Sequence, residues 1–185
     1  MTATIDRPAD VVSFLKAQHM QIKTLLEQVA GTTGEQRQAA FDQVRRLLAV
    51  HETAEEEVVH PRARREITDG EEVVAARLAE EHSGKKMLAE IEKLDVDSAE
   101  FEEKFRVLRD DIVKHAEAEE REEFEQLGAE LDDVALARMR NAVKIAEAVA
   151  PTHPHAGAES PAANLLAGPF AAMLDRTRDL LAGKN

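Results

Sequence analysis

The chain has 185 residues, of which 33% are charged and 3% aromatic, with a formal net charge of −13 and no cysteine. This length can hold one domain of ordinary size plus a tail. The negative charge argues against nucleic-acid binding, and the lack of cysteine excludes disulfides and thiolate metal sites. No stretch approaches ~18 consecutive apolar residues. We therefore expect neither a signal peptide nor a membrane span, and a cytoplasmic location.

Apolar residues recur at steps of three and four along four long segments, which predicts four amphipathic helices. The first covers residues 10–30, the second ends near Pro61, the third runs from about 71 to 94, and the fourth ends at Gly128. Pro61 should kink or weaken the second helix near its end. Long helices joined by short connections predict an all-α fold, an up-down-up-down antiparallel four-helix bundle.

A C-terminal helical extension should follow the bundle. We divide the chain into the bundle at 1–128, an additional helix at 129–150, and a linker with a short C-terminal helix at 151–185. The linker is predicted because "APTHPHAGAESPAAN" is rich in proline and small residues and has no periodicity. The sequence leaves the role of this tail open, and we expect a monomer or a weak homodimer.

Six positions on the apolar seams of the four helices carry ionisable side chains. A single histidine on an apolar face is usually a core residue with a hydrogen-bond partner. Here, however, the first and third helices each supply one inward histidine, and the second and fourth each supply His-x-x-x-Glu, in "HETAE" and "HAEAE". The chain resembles two similar hairpins. The six residues are His19, His51, Glu55, His82, His115 and Glu119.

These six side chains can meet in one layer of the bundle and bind metal there. Residues at i and i+4 share a helix face, so each His-x-x-x-Glu pair can address the same ion or two adjacent ions. A buried carboxylate costs several kcal/mol unless it is compensated, and metal dications supply that compensation. Four imidazoles and two carboxylates exceed one tetrahedral zinc site and suit two first-row ions, with positions open for a small ligand. Imidazole with carboxylate fits iron, with manganese or zinc as possible substitutes.

The pattern H…HxxxE…H…HxxxE over residues ~10–128 resembles the hemerythrin-like proteins, the HHE cation-binding domain family. The resemblance implies a non-haem, oxo- or hydroxo-bridged di-iron centre, with Glu55 and Glu119 as bridges and the four histidines of the pattern as terminal ligands. Oxygen-carrying hemerythrins have a second histidine on the third helix, where this chain has Lys86. This departure weakens the case for reversible oxygen carriage. The segment beyond Gly128 resembles extensions in actinobacterial members.

Other polar residues lie near these motifs and are further candidate ligands. His60 lies about half a turn of α-helix away from His51, so we expect it to face solvent or the end of the bundle. Glu52 could swing in as an extra carboxylate. The remaining candidates are expected to be solvated helix surface or ordinary loop: Glu81, Glu120, His153 and His155.

Three functions are compatible with this sequence. The first is a di-iron protein that reacts with dioxygen, hydrogen peroxide or nitric oxide, with catalase-like or peroxidase-like stress protection as its sharpest form. The second is a protein that senses or stores oxygen, redox state or iron without turnover. The third is a purely structural polar layer that fixes the register of the bundle and binds no metal.

Overall fold

The computed structural model describes residues 9–150, and every regular element among them is helical. An all-helical fold is therefore confirmed, whereas the antiparallel up-down-up-down order stays a prediction. None of the helices in this range combines the length and apolar composition that a membrane crossing requires. The α-helices are α1 (Val11–Gly31), α2 (Gly34–Ala54), α3 (His60–Glu66), α4 (Gly70–Ile91), α5 (Ala99–Glu119), α6 (Glu125–Glu130) and α7 (Asp133–Val149).

Two π-helical segments interrupt the second and fourth helices of the bundle. Glu55–Val59 joins α2 to α3, and Glu120–Phe124 joins α5 to α6, without a break in the helical path. The first segment lies just before Pro61, where the sequence predicts an irregularity, because proline cannot donate a backbone hydrogen bond. The second carries the helix through Gly128 to Glu130. A π-helical turn holds one residue more than an α-helical turn, so each segment shifts which side chains face inward.

Short polar residues fix where three of the helices begin. The carboxylate of Asp10 accepts a hydrogen bond from the backbone N–H of Ser13 at the start of α1. Ser98 does the same at the start of α5, and Asp132 at the start of α7. Each of these caps has an extended backbone and satisfies an N–H group that has no partner within its helix.

The apolar core consists of two clusters with a polar layer between them. One cluster contains Ile22, Leu48 and Leu108, and the other contains Leu15 and Phe124. Along α1, His19 lies between Leu15 of the second cluster and Ile22 of the first. The remaining members of the polar layer interrupt the apolar stripes of α2, α4 and α5 in the same way. The candidate site is therefore enclosed by apolar packing on two sides.

The helix α7 packs over one end of the bundle and completes the second apolar cluster. Its buried residues Leu136, Met139, Val143 and Ala146 belong to that cluster. The helix contacts α1, α2 and the first π-helical segment. It therefore covers the end of the bundle at which α1 begins. The predicted linker and short helix of 151–185 lie outside the described residues.

Gly70 is required by a close approach between the end of α3 and the start of α4. A Cβ atom there would lie 2.5 Å from the carbonyl oxygen of Ala63 and 3.0 Å from Cα of Arg64. These are backbone atoms, so the helices must separate to admit a methyl group. We expect Gly70→Ala to lower the free energy of unfolding by about 1–3 kcal/mol, measured by urea denaturation. Gly128→Ala is the control, because its Cβ would meet nothing within 4 Å, and it should leave stability unchanged or slightly raised.

Candidate metal centre

Four elements each direct one ligand-type side chain to a common point inside the bundle. These side chains are His19 from α1, His51 from α2, Glu55 from the first π-helical segment and Glu119 from α5. One nitrogen or oxygen of each lies within 4.8 Å of the others. All four residues are buried, and the two glutamates are fully inaccessible to solvent. Thus four of the six residues predicted from the sequence lie together.

His115, the fifth predicted residue, approaches this group from α5. Its side chain is 14% exposed, and its Nε2 lies 3.4 Å from Oε1 of Glu119. One ligand atom each of His115, Glu81 and Glu119 also fall within 4.8 Å of one another. Glu119 thus belongs to both groups and lies at their junction.

The imidazoles of His19, His51 and His115 are each oriented by a hydrogen bond on the side that faces away from the site. In every case Nδ1 donates to an oxygen that can only accept, so Nε2 of the neutral ring carries the lone pair and faces inward. An outer partner of this kind fixes the tautomer of a metal-binding histidine and raises its basicity. The acceptors are Glu120 Oε1 for His19 at 2.9 Å, Gln18 Oε1 for His51 at 2.9 Å and Glu80 Oε2 for His115 at 2.8 Å.

The inward atoms lack the hydrogen bonds that buried polar atoms normally make. Within residues 9–150, no hydrogen-bond partner is found for either carboxylate oxygen of Glu55 or Glu119, nor for Nε2 of His19 and His115. Buried polar groups are almost always paired, so unsatisfied ones require an explanation. Nε2 of His19 lies 3.3 Å from Oε2 of Glu119, and Nε2 of His51 lies 3.3 Å from Oε2 of Glu55.

A metal ion fits between these atoms. Two ligand atoms that are each about 2.1 Å from one ion lie about 3.0 Å apart in octahedral geometry and about 3.4 Å apart in tetrahedral geometry. The nitrogen-to-oxygen distances of 3.3–3.4 Å agree with this spacing. Neutral imidazoles and carboxylates are the ligands that first-row transition metals accept in this combination. The residues present therefore fit the metal centre that the sequence predicts.

The proximity of Glu55 and Glu119 makes the metal-free site electrostatically unfavourable. Burial, and then the charge of Glu119, raises the pKa of Glu55 well above its usual value. Burial also acts to raise the pKa of Glu119, but the charge of His115 and then the nearby imidazole of His19 lower it to about 2. One carboxylate therefore holds a proton while the other stays ionised. A divalent cation would replace that proton and relieve the repulsion.

A second polar group, which we did not predict, adjoins the first. His60 is 2% exposed, and its two ring nitrogens lie 3.0 Å from Glu123 Oε1 and 2.8 Å from Glu81 Oε1. Burial opposes protonation of His60, but the hydrogen bonds and charges of Glu123 and Glu81 raise its pKa well above the usual value. Ligand atoms of His60, Glu119 and Glu123 also lie within 4.8 Å of one another. The expectation that His60 faces solvent or the end of the bundle is wrong, because it lies between Glu123 and Glu81 in the buried polar layer.

The π-helical segment explains why His60 points inward. The backbone N–H of His60 donates to the carbonyl of Glu55, five residues earlier. His60 therefore lies one full turn beyond Glu55, on the same face of the helix, whereas a regular α-helix would rotate it away. The second π-helical segment places Phe124 five residues after Glu119 in the same manner. Phe124 is 1% exposed, and its ring stacks on His19 with centroids 5.5 Å apart.

On α4 the inward position between the two apolar clusters belongs to Glu81, which is 3% exposed. The expectation that Glu81 lies on a solvated face is wrong. His82, the sixth predicted residue, is partly buried and belongs to none of the ligand groups among the described residues. The buried stripe of α4 runs through Val74, Arg77, Glu81, Lys85, Leu88 and Ile91. A metal-ligand role for His82 stays a prediction.

Lys85 lies one turn beyond Glu81, and its positive charge is surrounded by the carboxylates of three glutamates. Its ammonium hydrogen-bonds to Glu56 and lies 3.5 Å from Glu81 Oε2 and 3.6 Å from Glu52 Oε2. Burial acts to lower the pKa of Lys85, but the surrounding glutamates raise it above its usual value. The outer part of the carboxylate cluster is thus neutralised by the protein itself, and Glu52 is paired with lysine in this arrangement.

Glu120, His153 and His155 are the remaining candidates from the sequence. Glu120 was expected on the solvated surface, but its side chain is 29% exposed and accepts the Nδ1–H of His19. It is therefore an orienting partner of a candidate ligand. His153 and His155 lie outside the described residues.

Taken together, a helical fold and a buried cluster of imidazoles and carboxylates define a candidate metal-binding helical protein. Comparison with known proteins gives the family. The sequence model described as the hemerythrin HHE cation binding domain matches residues 10–127. The chain therefore belongs to the hemerythrin HHE cation-binding domain family, which confirms the resemblance seen in the sequence.

A solved structure supports the same fold. The chain is similar to the crystal structure of a hemerythrin HHE cation binding domain-containing protein from Mycobacterium kansasii, with a TM-score of 0.67 and 19% sequence identity. The similarity covers 76% of this chain and 86% of the other. No curated protein matched the sequence.

Proposed function

We propose that this chain is a non-haem di-iron protein that decomposes hydrogen peroxide, built on an up-down-up-down four-helix bundle. The observation that carries the proposal is the set of unsatisfied buried atoms. Nε2 of two imidazoles and all four carboxylate oxygens of Glu55 and Glu119 converge in a layer without hydrogen bonds from the described residues. A purely structural polar layer would satisfy these atoms internally, because each unpaired one destabilises the fold.

Two of the three ligand groups that share Glu119 define the metal positions, because in the third group His60 already bonds to Glu123 and Glu81. His19, His51, Glu55 and Glu119 would hold one iron ion. His115, Glu81 and Glu119 would hold the other, so that Glu81 takes the place that the sequence pattern gives to His82. In this assignment Glu119 would serve as a ligand at both positions, with Glu55 beside it. His60, which also bonds to Glu123, holds Glu81 in place from the far side.

The charge of the cluster favours peroxide chemistry over reversible oxygen carriage. Anionic carboxylates stabilise ferric iron more than neutral imidazoles do, because the Coulomb attraction grows with the charge of the ion. The two ligand groups contain Glu81 in addition to Glu55 and Glu119, whereas Glu123 is paired with His60 and is not counted. Iron supplies the redox chemistry when it is bound. The chain's own residues orient the imidazoles, exclude water and keep open a path for a small ligand.

Iron loading tests this proposal. The protein is loaded anaerobically with ferrous iron, the iron per chain is counted, and hydrogen peroxide is added while evolved oxygen is measured. We expect about two irons per chain, as in other dinuclear sites, and one oxygen molecule for every two peroxides consumed. Protein loaded with zinc, which has no redox chemistry, is the control and should evolve no oxygen. Retention of no iron, or two irons that leave peroxide intact, would contradict the proposal.

Metal binding should release protons, and its affinity should rise with pH. In the metal-free protein the pKa of Glu55 is raised well above its usual value by burial and by Glu119. Burial lowers the pKa of His115, but Glu119 and Glu80 outweigh this effect and raise it to about 9. His115 therefore holds a proton at pH 7, and the raised pKa of Glu55 favours its protonated form; each must lose its proton to bind an ion. Raising the pH removes the competing protons.

The measurement is a titration with zinc in weak buffer containing a pH-indicator dye. Each proton released should increase the affinity about tenfold per pH unit. Protein already saturated with zinc is the control for dilution and dye effects. An affinity that is constant or falls between pH 6 and pH 8 would contradict this prediction.

A further inference from the structure

A cavity of ≈ 210 Å³ lies beside the candidate metal centre and is lined by residues of α1, α2, α4 and α5. Its outer end includes Lys114, whose side chain is 75% exposed, and its inner end includes the buried His51. The cavity therefore connects solvent with the inward imidazoles. Apolar atoms form most of its wall, and four large aliphatic side chains contribute to it: Ile22, Leu48, Leu108 and Ile112.

Gly84 keeps this cavity open. It lies in the middle of α4 and lines the cavity, although glycine within a helix costs about 1 kcal/mol relative to alanine. The backbone does not need glycine there, because the positive-φ positions among the described residues are Gly34 and Asp69. A Cβ atom at Gly84 would meet nothing within 4 Å. The missing side chain therefore leaves space that a larger residue would fill.

The size of the cavity indicates a ligand larger than hydrogen peroxide. An apolar cavity of about 150 Å³ is enough to bind benzene, so this one has room for a molecule of about ten non-hydrogen atoms. The aliphatic wall favours a hydrocarbon body. The mouth carries Lys23 and Lys114 together with Glu80 and Asp111, so its charges are mixed and select neither an anion nor a cation.

We propose that this cavity binds neutral organic hydroperoxides. The hydrocarbon body would pack against Ile22, Leu108 and Ile112, and the polar group would face His51 and His115 at the inner end. This inference rests on the proposed function, because it names the class of peroxide that the same centre takes. It concerns binding, so it can be tested without turnover.

The probe is 2-phenyl-2-propanol, the unreactive alcohol of cumene hydroperoxide, added to the metal-free full-length chain. Ligand-observed NMR should give saturable binding with a Kd of about 1 mM or tighter, as expected for ten atoms of modest efficiency. Gly84→Phe should weaken binding at least tenfold, because the ring fills the cavity. Gly84→Ala is the matched control and should stay within about threefold of the natural chain, since its Cβ meets nothing within 4 Å.

A second measurement keeps the proposal testable if Gly84→Phe does not fold. In the natural chain with labelled methyl groups, the probe should shift the resonances of Ile22, Leu108 and Ile112, with little effect on Leu136 in the other apolar cluster. Absence of saturable binding up to about 10 mM, or equal binding by Gly84→Phe, would overturn the proposal. Failure of iron loading alone would overturn the proposed function and leave the cavity result intact.

Discussion

Glu119→Gln is expected to lose the iron pair. One carboxylate oxygen lies 3.3 Å from Nε2 of His19 and the other 3.4 Å from Nε2 of His115, so a single side chain faces both metal positions. Glutamine has the same shape but no charge, so it cannot neutralise two dications. Loss of an outer partner of a ligand already costs 10–100-fold in metal affinity, and loss of the shared ligand should cost more. Iron counted after anaerobic loading should fall from about two per chain to fewer than one.

Glu117→Gln provides the matched control for this substitution. Glu117 lies on the same helix, two residues before Glu119, and its side chain is 58% exposed. The same change of charge at this surface position should leave the iron content as in the natural chain. Helicity measured by circular dichroism on both metal-free variants separates loss of ligand from loss of fold. Two irons retained by folded Glu119→Gln would contradict the role of Glu119 as the shared ligand.

The sequence predicted the site best where two signals agreed. On α2 and α5 a histidine and a glutamate are four residues apart, and both interrupt an apolar stripe. The spacing and the stripe each indicate the same face of the helix, so the two observations support one another. His51 and Glu55 lie together in the structure, and so do His115 and Glu119. On α1, His19 lies between Leu15 and Ile22, which are both buried. These positions follow from regular periodicity alone.

On α4 the same reasoning selected the face of the helix that carries His82, although the most buried face is a different one. From the buried Val74 to His82 there are two steps of four residues, and each step of four rotates about 40° beyond a full turn. By His82 the accumulated rotation is about 80°, and His82 is partly buried at the edge of the interior. The buried stripe instead steps by three and then four from Val74 to Glu81. Two positions of this stripe, Arg77 and Glu81, are polar. The periodicity of apolar residues therefore does not reveal it.

The positions after each His-x-x-x-Glu pair could not be derived from an α-helical period. Each π-helical segment adds one residue to a turn, and this brings His60 and Phe124 inward. The single signal in the sequence was Pro61, which lacks the N–H that a regular helix would use there. No comparable residue marks Glu120–Phe124. The outer partners, such as Gln18, resemble surface residues in the sequence and are recognised only once the helices are packed.

Comparison of Glu81→Gln with His82→Gln decides which residue of α4 serves the metal centre. Glu81 is 3% exposed and shares a ligand group with His115 and Glu119, so its amide variant should lose the second of the two irons while keeping the first. His82 is partly buried and belongs to no such group within the described residues, so His82→Gln should load both irons. Lys85 keeps Glu56 as a partner in either variant, and metal-free helicity should therefore be retained. The opposite result, full loading of Glu81→Gln and loss of iron from His82→Gln, would mean that α4 rotates when metal binds and that the histidine of the family pattern is the ligand.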